Sequence, residues 1–355
     1  MKKFDERNAE GDLFSSGTAL FSSLHSYIGD MTKLFSLALR LQFYILMYLL
    51  FLITLILFGC GPAIEMPKNI SSAGMQTNLI ESAKPGWMRI IVLDVGQGDS
   101  TLLVSPEKEA ILIDAGPPDT GPPAIFSALE DLEITHLEHI FISHLQQDHM
   151  GGLKAILEKG FANAEDVIDK TNRHVEETIP LGPATIQIKA SNGWIGTLPP
   201  PPNADADENN LNHALVIQYG QFRYFTDGDM PGGGGNPPYQ TIDLETPLAP
   251  LIGDIDVLLI PHHGSHTSTN QIFLDILKPE VALISFGDNN DYFHPHPSVL
   301  ARLKKAGVKI YTTERGYITH ESDIDIIHGS ICLLTNGETY FVKAYAIDKC
   351  TPPPL

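Results

Sequence analysis

Five times along this chain a short apolar run of β-forming residues gives way to histidine or aspartate, and that recurrence constrains the fold more than any other feature. ILID closes on Asp114, HIFIS is followed by His144, and YFT leads to Asp229 within TDGD. IDVLLIP is followed by His262 and His263, and VALISF, across a polar loop, by His294 and His296. Taken singly, an aspartate after a strand is ordinarily a turn former or cap, and a lone histidine is a surface or satisfied core residue. Five such coincidences ask for another reason. Open α/β sheets gather their functional residues just beyond the carboxyl ends of their strands. The densest group lies in residues 143–152, Ser-His-Leu-Gln-Gln-Asp-His-Met-Gly-Gly. There His144, Asp148 and His149 are metal-ligand types crowded where a strand becomes a helix, and buried groups of this kind need partners.

The remaining pattern supplies a scaffold for such an edge. Residues 88–94, 101–104 and 110–114 read as strands separated by the turns GQGDS and SPEKE. A helix is expected over 122–132, a buried strand over 139–143 and a helix over 151–158. Residues 191–213 are loop-forming, with Pro199–Pro202 and an acidic stretch. Strands resume at 214–219 and 222–226, followed by a glycine-rich loop at 231–238. Strands at 255–260, 281–286 and 309–312 alternate with helices at 271–277 and 298–306, and strands at 323–334 and 338–345 close the chain. Two β-rich halves with outer helices predict two sheets packed face to face between helices.

A catalytic metal site takes about three protein ligands per ion and leaves a position for water. The cluster at 144–149 is therefore only part of a site, and the other strand ends must complete it.

The motifs VLDVGQGDS, ILIDAG, ISHLQQDHMGG, the Gly-Asp of TDGD, PHHGSHTS and HPHP, in that order, resemble the ComEC-type competence branch of the metallo-β-lactamase superfamily. The resemblance runs from about residue 88 to 345. It implies an αββα sandwich with a dinuclear divalent-metal site, usually zinc, at one edge of the two sheets. Carried over residue by residue, it implies His144 as a ligand of the first metal and Asp148 with His149 on the second. Asp229 would bridge the two ions. His263 is expected on the first metal, with His262 facing substrate, and His294 on the second, ahead of His296. Asp114 is implied as an orienting group behind the ligands, and Asp99 and Ser100 as pocket-lining residues.

Gln146 departs from this pattern, because the superfamily places His there and this branch His or Asp. A neutral amide oxygen is a weaker ligand for a zinc-like ion than imidazole or carboxylate. One firmly held ion and one weaker ion are therefore expected. His213, before the strand ALVIQY, is a further histidine that reads as a loop residue.

Residues 41–58 form an unbroken apolar run long enough to cross a bilayer core. Lys2, Lys3, Arg7, Lys33 and Arg40 precede it, which places the N-terminus in the cytoplasm and exports the remainder. The run ends in Leu57-Phe58-Gly59-Cys60, similar to a lipoprotein signal in which Cys60 is lipidated. The expected organisation is a cytoplasmic leader (1–40), a signal peptide or transmembrane anchor (41–60), a linker (61–86), the metallo-β-lactamase-like domain (87–345) and a tail (346–355). Past residue 60 the chain carries 18 basic against 38 acidic residues, a balance that repels polyanions and argues against affinity built on phosphate neutralisation. Cys332 and Cys350 are the only cysteines there; they can pair in an oxidising compartment but make no disulfide framework.

The resemblance implies an exported hydrolase of phosphoesters, with Asp148 and His262 in the chemistry and hydroxide supplied by water on one or two metal ions. Candidate substrates are a small molecule, a cell-envelope component or nucleic acid, and the partner at the N-terminal end is the membrane. The competing reading, supported by Gln146, is a non-catalytic metal-binding accessory protein of the cell envelope or of DNA uptake.

Overall fold

The structure is a computed structural model, and it describes residues 86–172, 175–236, 240–319, 322 and 324–353. The expected leader, apolar span, Cys60 signal and residues 61–85 of the linker lie outside the described residues. Among the described residues no helix is long and apolar enough to cross a membrane.

The chain first forms β1 (Met88–Val92), β2 (Thr101–Val104), β3 (Ala110–Ile113), β4 (His139–Phe141) and β5 (Val167–Ile168). It then moves to a second sheet with β6 (Thr178–Leu181), β7 (Ala184–Ser191), β8 (Trp194–Ile195), β9 (Ala214–Tyr219), β10 (Phe222–Thr226), β11 (Val257–Leu259), β12 (Val281–Ile284), β13 (Lys309–Thr312) and β14 (Ile324–Ile326). The last strands, β15 (Ile331–Thr335) and β16 (Tyr340–Ala344), return to the first sheet, whose order is β16-β15-β1-β2-β3-β4-β5. The second sheet runs β14-β13-β12-β11-β10-β9-β7-β6, with β8 paired to β7.

Residues of opposite parity explain the layers. Ile90, Val92, Leu103, Ile111 and Ile113 of the first sheet meet Ile217, Tyr224, Val257, Leu259 and Leu283 of the second in one core between the sheets. The alternate residues Ile91, Leu102, Val104 and Leu112 face helices α1 (Gly121–Asp131) and α3 (Leu153–Glu158). Between those helices in sequence lies the one-turn α2 (Gln147–Met150). On the far side, Val216, Phe225, Leu258, Ala282 and Ile284 face α4 (Glu245–Ile252), α5 (Gln271–Leu277) and α6 (Pro297–Lys305). Strands buried on both faces are why these runs read as continuously apolar instead of alternating. The layers are helix, sheet, sheet, helix.

Several expectations are adjusted. The helix expected over 151–158 is α3, starting at Leu153, and an additional turn, α2, precedes it, so that Asp148 and His149 are themselves helical. Residues 178–191, given no element by sequence, hold β6 and β7. The segment after 345, expected as a tail, carries a short α7 (Tyr345–Asp348), and buried Cys350 forms a disulfide with Cys332 on β15, Cα atoms 5.5 Å apart. It is tied to the first sheet.

Candidate metal centre

Strands β3 and β4 are parallel, as are β10, β11 and β12. Their carboxyl ends therefore lie along one edge of the sandwich, where Asp114, His144, Asp229, the His262–His263 pair and His294 leave the sheets. Asp114 holds the group from the first sheet together. It accepts the Ser143 backbone N–H on Oδ1 at 2.7 Å, and on Oδ2 both the Ser143 hydroxyl at 2.7 Å and His149 Nδ1 at 2.8 Å. Asp114 takes a left-handed backbone (φ 60°) to do so, a conformation Asp tolerates better than most side chains. The turn of α2 is pinned by two backbone bonds, Asp99 N–H to Asp148 O and Ala115 N–H to His149 O.

These bonds assign the imidazole protons. The Ser143 hydroxyl donates to Asp114, so at His144 it accepts, and Nδ1 of His144 donates to it at 3.0 Å. His149 donates from Nδ1 to Asp114, and His263 from Nδ1 to the Ser285 carbonyl at 3.0 Å. In all three histidines Nδ1 is thus the fixed donor and Nε2 turns inward, the orientation a metal ligand needs.

The inward atoms converge on Asp229, and its two oxygens divide them. Oδ1 lies 3.2 Å from His149 Nε2 and 3.6 Å from His263 Nε2. Asp148 Oδ2 is 3.4 Å from the same His263 nitrogen and 3.8 Å from that of His149. Oδ2 of Asp229 instead faces His262 Nε2 at 3.6 Å and His144 Nε2 at 4.0 Å. The turn after β11 makes this division possible. His262 and His263 both have left-handed backbones (φ 53°, ψ 43° and φ 53°, ψ 23°), a conformation costing about 1–2 kcal/mol per residue, and strain of this kind gathers at functional sites.

Asp148, His149, Asp229 and His263 offer ligand atoms that all lie within 4.8 Å of one another. Nε2 of His144, His149 and His263 and Oδ1 of Asp229 are buried without a hydrogen-bond partner. Facing acceptors in a buried space are tolerable only with positive charge between them, so these residues fit a divalent ion. The electrostatics agree. Burial opposes charge on Asp229, yet His262, His149 and His263 outweigh it and hold the carboxyl well below the usual range. Burial likewise disfavours charging His149 and His263, but the surrounding carboxylates, Asp229 foremost, push both well above the ordinary imidazole value. His144, away from that balance, is pushed down to about 4, by burial first and then by His149.

The structure regroups two residues expected from sequence. His263 stands with Asp148 and His149, not with His144. His294 falls outside the mutually close set; its ring centre lies 5.8 Å from those of His262 and His263, and its Nδ1 is 3.4 Å from the Gln97 amide nitrogen. Burial and the neighbouring imidazoles lower His294 to about 2. Tyr292 stacks on it at 5.6 Å, and Tyr292 and Phe293 are both about 60% exposed at the rim. His296 pairs with His266 at 3.2 Å, outside the centre. His213 is buried, its ring edge-on to Phe141 and its Nε2 3.3 Å from the Ser191 hydroxyl. Asp99 lies 3.4 Å from His263 Nδ1, and Ser100 donates to the Asp114 carbonyl.

Gln146 donates from its amide nitrogen to Asn209 Oδ1 at 2.6 Å. Ser143, Ser285, Asn209 and Asn212 are supporting residues that sequence reasoning missed; Asn212 accepts the Asp229 backbone N–H. Asp227 was missed too: it is buried with neither oxygen hydrogen-bonded, and burial, with Glu245 and Asp229 adding, pushes it well above the carboxylate range.

A family profile described as metallo-beta-lactamase superfamily matches residues 93–288, more than half of the chain. The chain belongs to the metallo-β-lactamase superfamily. Among its relatives, Competence protein ComA of Neisseria gonorrhoeae is 25% identical over 68% of this chain and 33% of its own length. ComE operon protein 3 of Bacillus subtilis is 27% identical over 63% of this chain and 31% of its own length. Recombination protein 2 of Haemophilus influenzae is 30% identical over 63% of this chain and 27% of its own length. The chain thus spans about a third of the length of these curated relatives. Among solved structures, the metallo-beta-lactamase fold protein YhfI from Bacillus subtilis matches at 12% identity with a TM-score of 0.40, covering 67% of this chain and 96% of that one.

Proposed function

We propose that this superfamily member is an exported, metal-dependent phosphodiesterase. The observation that carries the reading is the convergence of Asp148, His149, Asp229 and His263, with buried Nε2 atoms facing carboxylate oxygens, on the edge where both sheets end. A divalent ion held there supplies Lewis-acid polarisation and a water of lowered pKa.

The protein's own groups supply the rest. Asp114 and Ser285 fix the tautomers of His149 and His263, so that the ligand set is assembled before substrate arrives. His262 is the proton-handling group. Its side chain is about a quarter exposed, Nδ1 is anchored near the Thr267 hydroxyl at 3.2 Å, and Nε2 points toward Asp229 Oδ2. Burial lowers its pKa, so the imidazole is neutral near pH 7. It takes a proton at Nε2 and returns it to the departing oxygen. Tyr292 stacks on His294, whose ring lies 5.8 Å from that of His262, and its exposed face orients an organic substituent on the phosphorus.

Substrate class follows from charge and relatives. The competence-protein relatives favour nucleic acid; the acidic balance favours a small or envelope phosphoester. Phosphodiester bonds occur in both classes. Export is supported by the buried Cys332–Cys350 disulfide, which belongs to an oxidising compartment, and by the apolar run at 41–58, proposed as the membrane anchor.

The test is hydrolysis of bis-p-nitrophenyl phosphate by the purified chain, before and after chelation. Turnover restored by added zinc, and lost in Asp229→Ala at unchanged circular dichroism, is expected. A metal-binding protein that turns over no phosphodiester is instead the accessory protein that the substitution at Gln146 favours.

A further inference from the structure

The two oxygens of Asp229 do not face equivalent half-sites. On the Oδ1 side, Asp148, His149 and His263 all lie within mutual reach. On the Oδ2 side, His144 and His262 each approach Oδ2, at 4.0 and 3.6 Å. Neither joins the other and Asp229 in a set of mutually close ligand atoms among the described residues. One ion cannot bind both without the walls moving inward.

Gln146, at the position where the superfamily pattern has a ligand, has its carboxamide committed elsewhere. It is bonded at 2.6 Å to Asn209, 63 positions along the chain. Asn209 is buried and fixed in turn, its N–H donating to Asp207 and its carbonyl accepting the Asn212 amide at 2.7 Å. Asn212 is committed as well, through the Asp229 backbone N–H. Turning Gln146 toward Asp229 would strip a buried amide of its partner, and would offer only a neutral oxygen in exchange.

We propose that the centre holds a single resident divalent ion, on the Oδ1 side of Asp229, and that the Oδ2 side is a metal-free half between His144 and His262 that receives the substrate's phosphoryl group. The 4.0 Å gap between His144 Nε2 and Asp229 Oδ2 is one that a single donor such as water bridges. Substrate displaces that donor and meets the two imidazoles. This inference rests on reading the Oδ1 cluster as the metal centre.

The full chain, purified in detergent, is equilibrated with zinc chloride and dialysed, and metal per chain is measured by inductively coupled plasma mass spectrometry with calorimetric titration alongside. One zinc per chain is expected for the wild type and for His144→Ala. Asp148→Ala, checked for folding by circular dichroism, should weaken binding by more than the about 100-fold that loss of a supporting hydrogen bond produces. Gln146→His should take up a second zinc. Two zinc ions of matching affinity in the wild type, loss of zinc in His144→Ala, or a Gln146→His protein that still binds one would each overturn the proposal. The counts are independent of turnover. An inactive protein with one tight ion overturns the hydrolase and keeps the single-ion centre, whereas an active protein with two does the reverse.

Discussion

Asp114 shows how much of the centre rests on a residue that is itself no ligand of the four. Its carboxylate takes three hydrogen bonds, from Ser143 N–H, Ser143 Oγ and His149 Nδ1, and through them sets the direction of both His144 and His149. Asn suits the left-handed backbone at this position as well as Asp does, so Asp114→Asn tests the hydrogen bonds without disturbing the turn. Zinc affinity should fall about 10–100-fold, with little change in thermal midpoint; unchanged affinity by competition with a chromophoric chelator would remove Asp114 from the site. The residue types were legible at this scale: every side chain that converges on Asp229 was visible as a histidine or aspartate after an apolar run. Their pairing was not. Whether His262 or His263 meets Asp229 Oδ1 depends on two consecutive left-handed backbone conformations, which no spacing in PHHGS encodes.

At the scale of elements, α4 carries a buried charge problem. Glu245 opens that helix, is fully buried, and accepts the backbone N–H groups of Thr269 and Asn270 just before α5. Burial raises its pKa from 4.5 to about 8, against those two hydrogen bonds. Between these values the folded protein holds a proton that the unfolded chain has lost, so folding takes up a proton. Stability from this group is complete below pH 4.5 and is lost as pH rises through about 8. Thermal midpoints should decline across that window, and Glu245→Gln should make the decline shallower; an identical slope in the variant would exclude Glu245 as its source. Elements were legible where strands are buried on both faces, as in β2, β9 and β13, whose bounds match the expected ones. They were missed where the pattern is diluted. β7 alternates half-buried Thr185, Gln187 and Lys189 with its buried residues, and α4 contains Pro250, a residue that ordinarily argues against a helix interior.

Over the whole molecule, the sandwich is closed by chain ends that meet late. β15 pairs with β1 across almost the full domain, and the Cys332–Cys350 disulfide fastens the final residues to β15, closing a loop of 18 positions. Chain-entropy reasoning gives such a bridge about 3 kcal/mol. Cys350→Ser, or reduction of the wild type, should lower the thermal midpoint by a corresponding amount while zinc binding persists, because Cys332 lies on β15, three strands across the sheet from β3, and faces the helix layer. Equal midpoints with and without reductant would show that the bridge does not form. Sequence alone determined the inventory and order of the strand-end ligands, the two-sheet class and the anomaly at Gln146, because apolar runs and ligand types are local properties. Tertiary structure alone decided that Asp229 divides its oxygens between unlike halves and that Gln146 is held by Asn209. Those outcomes depend on distances between residues far apart in the chain, set by sheet packing and backbone direction, which a linear pattern does not contain.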